Sequence, residues 1–276
     1  MALAVAGTAA FTGCGGDAQP TAPLPPEDRL SLAVVALDAL IGGDRVASSG
    51  VVINAEEGLV LTSAHSVWGA RSLRVMTGLG VLYGRIVARA PCSDLALVET
   101  QPRLPGLVAL EPADRPPSRT ALLSALGRRE ADAAIGTTTL LRIPTRVTAS
   151  GVKAGIDPAL GPLRGAMRLE GALVPESSGG PVLDAKNRLV ALAIGTEAGG
   201  RRAAVAVPWA QVRARLDELQ PDDRRINVGW RDQYRCANRM HAYARTHHEG
   251  FRPIDAQLDA PVPATRLPGT ERLDAE

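Results

Sequence analysis

The chain has 276 residues, 45% of them hydrophobic but only 3% aromatic, and its 31 basic and 29 acidic residues leave a net charge of +2. That length suits one two-lobed globular domain with tails, whose core must be filled by Val, Leu, Ala and Ile. With no run of Lys or Arg a nucleic-acid partner is excluded, and no stretch approaches the ~20 apolar residues of a membrane-spanning helix.

Residues 1–27 read as a leader and tether. Ala2 to Phe11 are small and apolar and lead into Phe11-Thr12-Gly13-Cys14, which resembles the lipobox of bacterial lipoproteins. Gly15-Gly16-Asp17 and the proline-rich stretch to Pro26 suit a flexible link beyond a lipid on Cys14. No Lys or Arg precedes the apolar run, so an ordinary leader with a chance cysteine is the other reading. The expectation is an exported protein, secreted or held on the extracytoplasmic side of the envelope, with membrane contact only through that anchor.

Residues 28–220 read as β-structure in two batches. Apolar or alternating runs near 31–40, 46–54, 59–62, 72–77, 81–90 and 94–100 make the first, separated by Gly, Pro, Asn or charged turns. A proline-rich link from Pro112 to Ser118 precedes the second, near 120–126, 137–151, 165–171, 181–184, 188–195 and 202–207. Pro208 then starts a helix whose Trp209, Val212, Leu216 and Leu219 recur at three- and four-residue steps. Residues 221–276 hold a second helix, from about Trp230 to His247, and an extended tail. Its stripe of Trp230, Tyr234, Ala237, His241 and Ala244 predicts a face docked on the preceding domain. Cys236, His241, His247 and His248 do not share one helical face, so no metal is expected, and no cofactor.

The chemistry lies in three short segments. Leu59 to Ala64 is an apolar run that ends at His65, Asp94 opens Asp94-Leu95-Ala96-Leu97-Val98, and Ser178-Gly179-Gly180-Pro181 follows. A serine hydroxyl is a weak nucleophile near neutral pH. It needs an imidazole to take its proton, a carboxylate to orient the imidazole and donors for the developing oxyanion. His65, Asp94 and Ser178 supply the first three groups, in the chain order of chymotrypsin and not that of subtilisin.

Four segments carry a family resemblance. Ser49-Gly50-Val51-Val52-Ile53 through Ser66-Val67, Arg85-Ile86-Val87-Ala88 through Leu97, Pro175-Glu176-Ser177-Ser178-Gly179-Gly180-Pro181-Val182-Leu183, and Gly199-Gly200 through Pro208 resemble HtrA-type trypsin-like serine proteases over about residues 30–220. The resemblance implies two six-stranded antiparallel β-barrels of the chymotrypsin kind, followed by C-terminal helices, with the cleft between the barrels. It implies a serine endopeptidase acting on a protein or peptide substrate through an acyl-enzyme. The residues after Gln220 are too few for the PDZ module that many HtrA relatives carry.

The same resemblance assigns the oxyanion donors to the backbone N–H groups of Glu176 and Ser178. Family members carry Gly at the position of Glu176, where backbone freedom has a use, so a binding or regulatory protein with impaired catalysis is the alternative. The base of the primary pocket falls on Ala172 and its wall on Ala193 and Gly195, which predicts small or medium apolar side chains. If Cys14 carries lipid, Cys92 and Cys236 remain, either bridged in an oxidising compartment or as two free thiols.

Overall fold

The computed structural model describes residues 24–132, 137–198, 203–218 and 230–252, so Cys14 and the leader lie outside the described residues. The first element is a helix, α1 (Pro26–Ala33), with Pro26 in its first turn beside Glu27 and Asp28. Proline loses nothing there, because that N–H has no intrahelical partner, and the two carboxylates suit the helix dipole. This corrects the strand expected from residue 31. Leu30 and Ala33 of α1 are buried between the barrels, and the helix straddles the expected boundary at residue 28.

The strands β1 (Val34–Ile41), β2 (Asp44–Asn54), β3 (Leu59–Ser63), β4 (Ala70–Thr77), β5 (Gly80–Ala90) and β6 (Leu95–Gln101) close into a barrel in the order β1-β2-β3-β6-β5-β4. The strands β7 (Leu122–Asp132), β8 (Thr137–Ala154), β9 (Leu163–Glu170), β10 (Pro181–Leu183), β11 (Leu189–Thr196) and β12 (Ala203–Pro208) close a second, in the order β10-β11-β12-β9-β8-β7. Closure leaves neither barrel with a free sheet edge.

Side-chain alternation then sorts the core into layers. On β3, Val60 points into the first barrel with Val35, Val52 and Val98, while its neighbour Leu61 points out, into a cluster between the barrels with Leu95, Leu126, Leu192 and Ile194. Leu123, Val147, Leu169 and Val182 fill the second barrel. Aliphatic side chains therefore form all three layers, as the scarcity of aromatics requires.

The helix α2 (Trp209–Glu218) follows β12 and buries Val212 in the inter-barrel cluster. The last helix, α3 (Trp230–His247), crosses back onto the first barrel, where Ala237, Met240 and Ala244 enter its core cluster together with Phe251. Burial of Met240 and Phe251 stabilises the docked helix by roughly 1.5–3 kcal/mol each. Of the expected stripe, Ala237, His241 and Ala244 are buried on the docked face and Met240 joins them, while Tyr234 is 54% exposed. A disulfide joins Cys236 of α3 to Cys92, across 144 residues of chain.

Candidate active site

Asp94 and His65 meet because of a short turn. Pro91–Ser93 form one turn of 3-10 helix, and Asp94 ends it in the left-handed region at φ 54°, ψ 44°. Aspartate tolerates that conformation better than most residues. Its carboxylate is thereby aimed back at the end of β3. Asp94 Oδ1 accepts the His65 backbone N–H at 2.8 Å, and Oδ2 lies 2.7 Å from His65 Nδ1. Asp94 is 2% exposed and His65 7%. The carboxylate fixes the tautomer with the proton on Nδ1, so Nε2 is left as an acceptor. The Ser66 hydroxyl lies 3.2 Å from that Nε2 and 2.7 Å from the Ser63 hydroxyl.

Ser178 belongs to the second barrel, and its loop docks directly on the first. Ser49 N–H donates to Ser178 O at 2.8 Å, while Thr62 Oγ1 donates to Ser49 O at 2.7 Å. The two glycines after Ser178 are dictated by close approaches, Gly179 to the first barrel and Gly180 to β7 of its own barrel. A Cβ on Gly179 (φ 80°) would lie 2.2 Å from Thr62 Oγ1 and 2.3 Å from Ser49 O, and one on Gly180 would lie 1.9 Å from Leu126 O. Gly179 is thus the point where the two barrels approach backbone to backbone. That approach brings Ser178 beside the strand end that carries His65.

The loop before Ser178 is closed. Pro175–Ser177 form a 3-10 turn in which Ser178 N–H donates to Pro175 O at 3.1 Å. One of the two expected oxyanion donors is therefore occupied by the protein's own carbonyl, and the hole is not formed in this state. The Ser178 hydroxyl donates to Ile194 O at 2.7 Å rather than to His65. Ser49 secures the arrangement: its hydroxyl donates to Glu176 O at 2.5 Å and accepts the Arg128 N–H at 2.8 Å. The Glu176 side chain is only partly buried.

The expected pocket residues are only partly brought together. Ala172 is exposed, Gly195 is sealed against Ile156, and Ala193 points into the core of the second barrel with Leu123 and Val182. Strand alternation on β11 accounts for the correction at Ala193: Leu192 and Ile194 face the cluster between the barrels, so Ala193 faces the barrel interior. Thr196 Oγ1 accepts the Leu173 N–H at 3.0 Å and donates to Leu173 O at 3.1 Å, which ties the segment after Ala172 to the end of β11.

Several groups at the site were not read from the sequence. Ser49, Ser66 and Ile194 act through hydroxyls or a backbone carbonyl that carry no motif. Tyr243 of α3 lies edge-on to the His65 ring, with centroids 5.7 Å apart and planes at 83°. Burial, then the charges of Asp94 and Asp157, push its phenol up to about 12. Tyr243 stands outside the stripe expected for this helix, so no sequence signal marked it.

Two closed antiparallel barrels, with a His–Asp pair on one and a Ser-Gly-Gly loop on the other, are the architecture of a trypsin-fold peptidase. Residues 48–192 match the family described as the trypsin-like peptidase domain, and the chain belongs to that family. Among solved structures, the fold is similar to the Rv3671c protease from M. tuberculosis in its active form, at TM-score 0.58 and 20% identity, covering 68% of this chain and 81% of that one. It is similar to the serine endoprotease from Yersinia pestis, at TM-score 0.56 and 18% identity, covering 73% and 69%. A third, the HtrA-type protease AlgW with tripeptide, gives TM-score 0.56 and 21% identity, covering 69% and 61%. No curated protein matches the sequence.

Proposed function

We propose that the chain is a serine endopeptidase working through a His65-Asp94-Ser178 triad and an acyl-enzyme. The observation that carries this reading is the His65–Asp94 pair, with Nδ1 committed to the carboxylate and Nε2 left as an acceptor, next to the Ser66 hydroxyl in this state. Ser178 Oγ attacks the carbonyl carbon of the scissile peptide while His65 Nε2 takes its proton. The tetrahedral oxyanion collapses, the C–N bond breaks, and the imidazolium returns the proton to the leaving amine. Water then attacks the Ser178 ester with His65 again as base, releasing the acid and the free hydroxyl.

Two local rotations precede that chemistry. The Ser178 hydroxyl leaves Ile194 O for His65 Nε2, where it replaces the Ser66 hydroxyl. The Pro175–Glu176 peptide also turns, so that Pro175 O releases the Ser178 N–H and the Glu176 N–H can join it on the oxyanion. The state described is therefore a resting one. The same Ser178–Pro175 bond favours a second reading, a binding protein on a peptidase fold whose oxyanion hole never forms.

A fluorophosphonate probe separates the two. Covalent labelling of the wild type, lost in both Ser178→Ala and His65→Ala, is expected for the peptidase. Absence of labelling under all conditions that keep the chain folded would leave the binding protein, and labelling that persists in Ser178→Ala would remove the nucleophile assignment.

A further inference from the structure

The helix α3 crosses the cleft and touches both barrels. On the first it is held by the Cys92–Cys236 bridge, by Ala237, Met240 and Ala244 in the core, and by Trp68, whose Nε1 donates to His241 Nδ1 at 3.3 Å. On the second, His247 Nε2 lies 3.3 Å from Asp157 Oδ2, and the Arg239 guanidinium packs over Gly161. Leu160, from the same loop as Asp157, packs against the first-barrel cluster. A covalent bond at one end and buried apolar side chains along one face are the marks of a fixed wall. A lid that must open at each turnover would leave that face unpaired.

Tyr243 sits where this wall meets the chemistry. Its ring is edge-on to His65 on one side and stacked on His247 at 4.1 Å and 23° on the other, so Asp157, His247, Tyr243, His65 and Asp94 form one continuous row across the two barrels. The Asp94 bond at Nδ1 and the Ser66 hydroxyl beside Nε2 fix two points of the imidazole but leave the ring free to tilt about the line between them. An edge-on aromatic neighbour restricts that tilt through favourable edge-to-face contact, and it keeps water from the Nδ1–Asp94 bond.

We infer that Tyr243 is a positioning residue, which holds the His65 imidazole on Asp94 so that Nε2 can take the Ser178 proton once that hydroxyl leaves Ile194 O. The inference rests on the peptidase reading for its effect on rate, though not for its effect on His65. The part is played by the ring and not by the hydroxyl, so phenylalanine serves in its place. Misplacement of a catalytic group by about 1 Å can cost up to about a hundredfold in rate.

The test uses the full-length chain as wild type, Tyr243→Leu, Tyr243→Ala and Tyr243→Phe, each checked for an intact bridge and an unchanged circular dichroism spectrum. Expected for Leu and Ala is a loss of about tenfold or more in fluorophosphonate labelling rate and in kcat, with KM changed by less than about twofold, because the lost contact acts through His65 and not on bound substrate. Tyr243→Phe restores most of the loss. In proton NMR the downfield His65 Nδ1–H signal is sharp in the wild type and in Tyr243→Phe, and broadened by water exchange in Tyr243→Leu. Unchanged rates in Leu and Ala overturn the inference, as do raised rates, which would make α3 an obstruction. If no form is labelled, the peptidase reading fails, and the NMR signal alone decides whether Tyr243 holds His65: broadening in Leu supports it, an unchanged signal overturns it.

Discussion

At the scale of single residues, the site is governed by which N–H groups are free. Ser178 N–H is bonded to Pro175 O, and the carbonyl of the next residue, Glu176, is held by the Ser49 hydroxyl. Turning the Pro175–Glu176 peptide asks residue 176 for a backbone change that Gly makes without steric cost and Glu does not. Glu176→Gly is therefore expected to raise kcat with little change in KM, since the added donor acts mainly in the transition state. One oxyanion donor is worth about 10²–10³ in rate, which sets the upper limit of the gain. Steady-state kinetics of the two forms on one peptide substrate check this, and equal or lower kcat in a folded Glu176→Gly would show that the turn is stable for other reasons, with Ser49 the next candidate.

At the scale of elements, α3 depends on the disulfide as well as on its apolar face. The bridge closes 144 residues of chain, and by the chain-entropy relation a loop of that size stabilises the fold by about 4–5 kcal/mol. The double variant Cys92→Ser, Cys236→Ser is expected to lose stability of that order in urea unfolding. Met240→Ala, which removes one buried side chain and leaves the bridge in place, should lose about 2–5 kcal/mol. The helix itself was legible: its ends and its amphipathic period stand in the sequence. Which barrel it docks on was not, because Ala, Met and His at helical spacing pack equally well on any apolar surface of matching shape.

At the scale of the whole molecule, paired carboxylates make stability depend on pH. Burial alone would raise Glu99, yet hydrogen bonds and charge from Arg85 and Arg103 hold it below its ordinary 4.5. Asp184 is likewise held below 3.8 against its burial, by bonds from the Arg188 backbone and side chain and from the Lys186 backbone. Such groups add stability above their unfolded values, and that stability is withdrawn as pH falls through the lower folded values. His248, which burial keeps below 6.5, adds an earlier loss of the same sign, since the unfolded chain takes up the proton first. Glu57, raised by burial, works in the opposite direction. Unfolding midpoints should therefore decline modestly below about pH 6.5 and more steeply below about pH 4.5, with a shallower acid limb in Arg188→Ala. A midpoint that is flat from pH 7 to pH 3 would show that these pairs are fully screened.

Twelve strands in two batches were readable as apolar or alternating runs bounded by turn residues; where both faces are buried, as at Val60 and Leu61, the run is continuous and does not record which residue faces which layer. The residues His65, Asp94 and Ser178 were readable because each ends or opens such a run and their order is that of a known triad. Sequence, read with the family resemblance, thus determined the architecture and pointed to the candidate chemistry. It did not determine the state. That Ser178 N–H meets Pro175 O, that its hydroxyl meets Ile194 O, that Ala193 faces the core, and that Tyr243 reaches His65 are all contacts between segments far apart in the chain or choices of one peptide's rotation. Local pattern carries no record of them; they exist only once two barrels and a bridged helix have been brought together, when packing and hydrogen bonding select one arrangement from many that the same residues allow.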